Sequence, residues 1–270
     1  MTNKHAINNS KHSTNNSLLT NFAFTLAETL IVMGIIGVVA ALTLPNLNSS
    51  TGDKEKVAKL QKIYSNLNDS FSRAEAVYGP FANWCTGISD ADLCATKTMT
   101  RVIDFLKISK DCGYSAQTGK SGNGCFELSN QGFVVNSGYT VILADGASIK
   151  SENGLDTACS DSTLSSVASN VPEKCILGFI DVDIDGPNKG PNTAGKDIFS
   201  YSLTEQGIVP SGSENELTDS DLKSSCFYKG SNAPICTVWV LKSGNMDYLK
   251  ATNGTCPNGT VLSWTNITCK

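Results

Sequence analysis

Three aspartates occupy alternate positions in one short segment of this 270-residue chain, and a glycine follows them: Asp181, Asp183, Asp185 and Gly186. Carboxylates at positions 1, 3 and 5 followed by a glycine turn are typical of the opening of a calcium-binding loop. The twelfth position, where an EF-hand supplies a bidentate glutamate, is Asn192, so an ion would need a further ligand such as Asp197 or backbone carbonyls. The alternative is a tight turn in which these side chains cap nearby backbone groups without any ion.

A second candidate group is a single carboxylate, Glu28, near the start of an apolar run that extends to Pro45. A carboxylate within a bilayer costs about 3 kcal/mol on insertion scales and is by default a functional residue that needs a partner. The first turn of a helix favours an anion by about 0.3–1 kcal/mol. The alternative is an uncleaved signal anchor that tolerates Glu28 near the membrane interface.

A stem helix is predicted to begin in the apolar run and to continue well beyond it. Later apolar residues recur at spacings of three and four, as on one face of a helix: Val57, Leu60, Tyr64, Leu67, Phe71, Ala74 and Tyr78. Gly79-Pro80 should end the helix, because proline is not tolerated in a helix interior. We therefore predict a stem over 24–78, with a bend at Pro45.

The remainder of the chain is rich in Gly, Ser, Asn and Thr and carries turn signals such as Asp145-Gly146. Between the turns lie short runs of β-branched and aromatic residues at 132–135, 139–143, 175–182, 198–203 and 237–241. We expect an α+β fold in which an antiparallel sheet packs against the stem helix. Residues 85–125 should form a loop region between stem and sheet, with a helical segment at 99–106.

A short motif opens the apolar run: Ala23-Phe24-Thr25-Leu26-Ala27-Glu28. Together with the glycine-containing run that follows, it resembles the leader of type IV prepilins and type II secretion pseudopilins. The resemblance implies that prepilin peptidase cuts between Ala23 and Phe24 and that Phe24 is N-methylated. It also implies that Glu28 meets the amine of a neighbouring subunit's Phe24 during filament assembly. The family usually has glycine before the cut, where this chain has Ala23.

The same resemblance implies a pilin-like organisation: a prepilin leader (1–23), a stem helix (24–78) whose part 24–44 is the transmembrane and assembly segment, and a globular, β-rich extracytoplasmic head (79–270). Segment 24–44 would be about 31 Å long as a helix, which matches the hydrocarbon core of a bilayer. The leader contains Lys4 and Lys11 and no acids, so the positive-inside rule keeps it in the cytoplasm.

The resemblance further implies a structural subunit of a type IV pilus-like or type II secretion pseudopilus filament, held in the bacterial inner membrane before it enters a periplasmic or cell-surface fibre. Its partners would be the membrane, the same or related pilin subunits, prepilin peptidase and the inner-membrane assembly platform. A net charge of −4 does not indicate a nucleic-acid surface. The alternatives are a minor pilin or adhesin displayed on such a filament, and a signal-anchored extracellular protein.

The ten cysteines all lie after residue 84 and follow one another in couples: Cys85 with Cys94, Cys112 with Cys125, Cys159 with Cys175, Cys226 with Cys236, and Cys256 with Cys269. Cysteines outside the cytoplasm pair as disulfides. We expect each couple to be bridged, although the spacing does not determine the connectivity. Each bridge should stabilise the head by about 3 kcal/mol. A zinc site is the weaker alternative, because the chain has no Cys-x-x-Cys motif.

Both histidines, His5 and His12, lie in the predicted leader, so the mature chain would have none. Without histidine a chain lacks Ser-His-Asp and Cys-His nucleophile pairs and His-ligated metals. We therefore expect that the protein is not an enzyme and has no cofactor, with calcium at the aspartate segment as the one candidate.

Overall fold

The computed structural model describes residues 25–88, 90–115, 124–126, 138–153, 176–204, 207–212, 217–228 and 236–270, apart from the side chains at 40–51, 91, 152–153 and 176. The chain divides into two compact units, Met1–Asn48 and Ser49–Lys270. The predicted leader 1–23 and the cleavage site between Ala23 and Phe24 lie outside the described residues.

Four helices and six strands are assigned in the described part of the chain. The helices are α1 (Leu26–Tyr78), α2 (Ala91–Val102), α3 (Asp219–Ser225) and α4 (Cys236–Ser243). The strands are β1 (Ile108–Ser115), β2 (Gly138–Leu143), β3 (Ser148–Asn153), β4 (Ile176–Asp183), β5 (Ile198–Thr204) and β6 (Gly207–Pro210). The strands form one antiparallel sheet in the order β1-β2-β3-β4-β5-β6. The expected α+β class with an antiparallel sheet is confirmed.

In the first unit, the described side chains of α1 are all exposed. The large apolar ones are 53–79% exposed: Leu26, Leu30, Ile31, Val32, Met33, Ile35, Ile36, Val38 and Val39. A search of the described residues identifies no helix with the length and hydropathy that crossing a membrane requires. The segment 24–44 includes residues outside that description and stays a prediction, as does the bend at Pro45.

In the second unit, residues 49–78 of α1 bury one stripe against the sheet. The stripe residues are 0–6% exposed: Val57, Leu60, Ile63, Leu67, Phe71 and Ala74. Tyr64 stacks on Tyr201 of β5, with the ring centroids 5.4 Å apart. A row of apolar residues crosses the sheet in register and completes the core: Val141, Ile149, Val182 and Phe199. The predicted packing of sheet on stem helix is therefore present within this unit.

Helix α1 ends at the predicted residue, Tyr78, because Gly79 adopts a left-handed conformation with φ of +82°. The Gly79 N–H still donates to the Glu75 carbonyl at 2.9 Å. The Trp84 indole N–H then donates to the Gly79 carbonyl at 2.7 Å, which directs the chain back toward the core.

The predicted strand at 237–241 is wrong, because these residues form most of helix α4. Trp239 is fully buried there and packs edge-on against Phe227, with the centroids 4.9 Å apart. Cys236, the first residue of α4, is bonded to Cys226. Tertiary packing and the disulfide thus override the β propensity of this run. The predicted runs at 139–143, 175–182 and 198–203 correspond to β2, β4 and β5, and the run at 132–135 lies outside the described residues.

Candidate functional sites

The acidic loop, residues 183–197, joins β4 to β5. Asp183 is the last residue of β4 and is fully buried. Its Oδ1 accepts the N–H groups of Asp185 at 3.2 Å and Gly186 at 2.9 Å. Gly186 has φ of +87°, and a Cβ at this position would lie 2.2 Å from the carbonyl oxygen of Gly146. The turn after the three aspartates therefore requires glycine both for its conformation and for its close approach to another backbone.

Asp197 closes the other end of the acidic loop. Its carboxylate is fully buried and accepts the N–H groups of Asn192 and Thr193. The Asn192 side-chain amide donates to the Pro187 carbonyl at 3.2 Å, so the middle of the loop is also fixed from within. Asp183 and Asp197 thus act as the backbone caps that formed the alternative prediction for this segment.

Asp181 lies outside this arrangement. It is in the interior of β4, in register between Lys150 of β3 and Ser200 of β5. It accepts a hydrogen bond from the Ser200 hydroxyl. Of the four predicted calcium ligands, the structure brings three into the acidic loop and leaves Asp181 in the sheet.

The acidic loop contains two carboxylate oxygens, Asp183 Oδ2 and Asp185 Oδ1, that are buried and accept no hydrogen bond. The pKa of Asp183 is raised to about 7, first by burial and then by the charge of Asp185, a side-chain hydrogen bond with Asp185 and the charge of Asp197, against the opposing effect of the Gly186 N–H. Burial also raises the pKa of Asp197. Burial is the largest cause of both pKa shifts, and the neighbouring carboxylates add to it.

Among the described residues, one cation from outside the loop faces these carboxylates, and it is Lys56. The Lys56 ammonium on α1 lies 3.9 Å from Asp185 Oδ2 and donates to the Lys196 carbonyl at 3.3 Å. Its charge lowers the pKa of Asp197. The two lysines of the loop itself, Lys189 and Lys196, have exposed side chains. Sequence reasoning missed Lys56, because nothing in its local pattern distinguishes it from the other lysines of the stem.

These observations narrow the ligand set that a calcium ion could use. Across the described ranges, no group of three or more His, Cys, Asp or Glu side chains is arranged to hold a metal ion. Asp197 already uses both oxygens for backbone N–H groups. Asp183 and Asp185 each keep one buried oxygen that accepts no hydrogen bond, whereas a calcium ion takes roughly 6–8 oxygen ligands.

Glu28, the second candidate group, has a partner within its own helix. Its Oε2 accepts the Thr25 N–H at 2.8 Å and the Thr25 hydroxyl at 2.9 Å, while the Glu28 N–H donates to the Thr25 hydroxyl at 3.2 Å. This reciprocal pair is a capping box, which satisfies two of the free N–H groups at a helix start. The spacing Thr-x-x-Glu is the sequence signature of a capping box, and it would have predicted this contact between Thr25 and Glu28.

Four of the five predicted cysteine couples are disulfide-bonded in the structure. The bridges join Cys85 to Cys94, Cys112 to Cys125, Cys226 to Cys236, and Cys256 to Cys269. All four belong to the second unit and close short loops around the sheet. The fifth couple stays a prediction, because Cys159 and Cys175 both lie outside the described residues.

Comparisons with known proteins give no relative of this chain. No protein-family model, no curated protein and no solved structure matches it.

Proposed function

We propose that the chain is a structural subunit of a type IV pilus-like or type II secretion pseudopilus filament. In this proposal prepilin peptidase removes residues 1–23, Phe24 is methylated, and the subunit waits in the bacterial inner membrane through segment 24–44. The assembly platform then inserts it into a periplasmic or cell-surface fibre among the same or related subunits. The protein performs no catalysis.

The observation that carries the proposal is the exposure of residues 26–39. Nine large apolar side chains are exposed there, and Glu28 is the single charged residue among them. Exposed apolar surface costs roughly 25 cal/mol per Å² in water, so a run of this kind needs a cover. Lipid before assembly and the stems of neighbouring subunits afterwards provide such a cover.

Glu28 fits the same proposal as a group that sets the register between subunits. A charge pair formed between chains in an apolar environment adds little net stability, but loss of one partner leaves a buried charge at a cost of about 3–5 kcal/mol. The capping box holds Glu28 beside Thr25, the residue directly after Phe24.

The second unit supports the proposal in a more general way. A helix packed on an antiparallel sheet, with four disulfides in the surrounding segments, suits a domain that works in an oxidising compartment. The same features also suit a minor pilin or an adhesin. Abundance in purified fibres distinguishes these roles, because a major subunit is stoichiometric and a tip subunit is not.

Mass spectrometry of the mature amino terminus tests the filament proposal directly. The expected result is a chain that begins with N-methylated Phe24 in cells with active prepilin peptidase, and an unprocessed chain in cells without it. A chain that retains residues 1–23 in the presence of active peptidase contradicts the proposal and favours a signal-anchored extracellular protein.

A calcium ion at the acidic loop is a second part of the proposal, supported by the unsatisfied oxygens of Asp183 and Asp185. Removal of calcium with a chelator should lower the melting temperature of the purified chain. Asp183→Ala should abolish that difference, whereas the control Asp145→Asn, outside the loop, should retain it. An identical melting temperature with and without chelator contradicts the calcium site and leaves the filament proposal intact.

A further inference from the structure

We propose that a thiol oxidase introduces the disulfides of the second unit before this unit folds, and that the native pairing requires no disulfide isomerase. This inference rests on the extracytoplasmic location of residues 79–270 in the proposed function, and it adds a partner to that function. The chemistry identifies the partner as an enzyme whose reactive disulfide accepts two electrons from the thiols of an unfolded chain.

One rule describes the pairing in all four described bridges. Each bridge joins cysteines that are 9–13 residues apart in the chain. The nearest cysteine outside a bridge is always farther away, since Cys112 lies 18 residues after Cys94 and Cys256 lies 20 residues after Cys236. Every cysteine of these bridges is therefore bonded to the cysteine nearest to it in the sequence.

Loop closure in an unfolded chain selects the same partners. The conformational entropy lost on closure grows with loop length, so the frequency of closure falls as about the 3/2 power of the number of residues. The native loop from Cys85 to Cys94 spans 9 residues, whereas a loop from Cys85 to Cys112 would span 27. The shorter loop should close about five times more often. The unfolded chain thus favours the native connectivity without guidance from the folded structure.

Burial limits the time in which the bridges can form. Each described bridge includes at least one cysteine that is no more than 8% exposed: Cys85, Cys94, Cys125, Cys226, Cys236 and Cys256. Thiol–disulfide exchange requires access to the sulfur atoms, so folding hides reduced cysteines from an oxidase and mispaired ones from an isomerase. Disulfide formation without a catalyst is slow compared with the folding of a single domain. Oxidation before burial therefore needs a catalyst.

The oxidation consists of two exchange steps. A thiolate of the chain attacks the disulfide of the oxidase, which forms a mixed disulfide and releases one thiolate of the oxidase. A second thiolate of the chain then attacks the chain's sulfur in the mixed disulfide, which closes the bridge and releases the other thiolate of the oxidase. Per bridge, two thiols of the chain become a disulfide and the disulfide of the oxidase becomes two thiols, so two electrons and two protons pass to the enzyme.

Disulfide mapping of the full-length chain tests this inference. Cells are quenched with acid, free thiols are alkylated, and the linked peptides are identified by mass spectrometry after digestion without reductant. Cells that contain both enzymes and cells that lack the isomerase should give the four described bridges to the same extent. Cells that lack the oxidase should give alkylated cysteines in place of most of these bridges.

Cys94→Ser tests whether loop length selects the partners. The nearest cysteine left for Cys85 is then Cys112, whose own partner is Cys125. In cells without the isomerase we expect a bridge between Cys85 and Cys112 in about one chain in four, because a loop of 27 residues competes with one of 13. The matched control, Cys85→Ser with Cys94→Ser, removes the whole couple and should retain the other three described bridges. The mapping also reads unfolded chains, so a variant that does not fold still gives a result.

Three results overturn the inference while the proposed function stands. They are loss of the native bridges in cells without the isomerase, intact bridges in cells without the oxidase, and absence of a bridge between Cys85 and Cys112 in Cys94→Ser. A chain that is fully reduced even in cells with both enzymes contradicts an oxidising compartment, and it overturns the proposed function together with this inference.

Discussion

Two parts of helix α1 both carry large apolar side chains but differ in the burial of those side chains. Between residues 26 and 39 every described side chain is exposed, whereas the stripe from Val57 to Ala74 is buried against the sheet. The second part is stabilised by contacts within its own chain. The described side chains of the first part are exposed, so in our proposal its stabilisation comes from lipid and from other subunits. In our proposal the two parts of the helix therefore serve two separate purposes.

The largest expected effect concerns Glu28. We expect Glu28→Val to insert into the membrane but to be lost almost completely from filaments, because the amine of a neighbouring subunit would be left without a partner. Quantification of the variant in sheared fibres, relative to the membrane fraction, measures this loss.

Thr25→Ala is the matched control for Glu28, because it removes the hydroxyl that makes two of the three capping-box hydrogen bonds and keeps the carboxylate. We expect this variant to be incorporated at close to the wild-type level. Equal loss of both variants would mean that Glu28 acts by capping its own helix, and normal incorporation of Glu28→Val would remove its proposed role in assembly.

The second prediction contrasts the two parts of α1 directly. Leu67→Ala should lower the free energy of unfolding of the second unit by about 2–5 kcal/mol, because Leu67 is fully buried in the core. Ile35→Ala, at a position 60% exposed, should change it by less than about 0.5 kcal/mol. Denaturant unfolding followed by tryptophan fluorescence measures both, and a similar cost for the two would contradict the contrast in burial.

The third prediction concerns the disulfides, which stabilise the second unit. The double variant Cys226→Ser and Cys236→Ser should lower the free energy of unfolding by about 2–4 kcal/mol. The bridge holds the start of helix α4, which a β-prone sequence would not maintain alone. Far-ultraviolet circular dichroism should show a small loss of helix. An unchanged unfolding midpoint would mean that packing alone fixes α4.

The smallest effect is expected at Asp247, near the C-terminus. Its Oδ2 accepts the Cys269 N–H at 2.9 Å and its Oδ1 pairs with Lys250 at 2.7 Å. Burial alone would raise the pKa of Asp247, but these two partners lower it below the ordinary value of 3.8. Asp247→Asn should therefore cost about 1–2 kcal/mol at neutral pH.

The pH dependence of this cost has a defined sign. Because the folded-state pKa of Asp247 is lowered, its stabilisation is complete above the ordinary pKa and is lost as the pH falls through the folded value. The difference between wild type and Asp247→Asn should therefore shrink below about pH 4. If wild type and Asp247→Asn still differ in stability at lower pH, the cost of the substitution comes from packing rather than from the loss of charge.

The elements with strong local signals were predictable from the sequence. Gly79-Pro80 indicated the end of α1, and the β-branched residues of β2, β4 and β5 indicated those strands. Strand β3 was not predictable, because it has one large apolar residue, Ile149, among polar ones. Lys150 and Ser151 of β3 are nevertheless buried. Their burial depends on the elements that pack against the strand, which the composition of the strand does not reveal.

The candidate sites were predictable to a similar extent. The alternating aspartates indicated a turn after β4, but they did not indicate that β4 extends to Asp183 and includes Asp181 in the sheet. The contact of Lys56 with Asp185 joins segments far apart in the sequence, so no local pattern could indicate it.

The sheet has a consequence for how the chain can reach its native state. Each described strand pairs with the strand that precedes or follows it in the chain, and each described disulfide joins neighbouring cysteines. In such a meander the paired strands are closer in sequence than in a sheet with crossovers. Each new strand pairing therefore closes a short loop and costs little conformational entropy. The described strands can therefore pair one after another as the polypeptide emerges from a ribosome or a translocation pore, and each cysteine of the four described bridges meets its partner before the next of these pairs arrives.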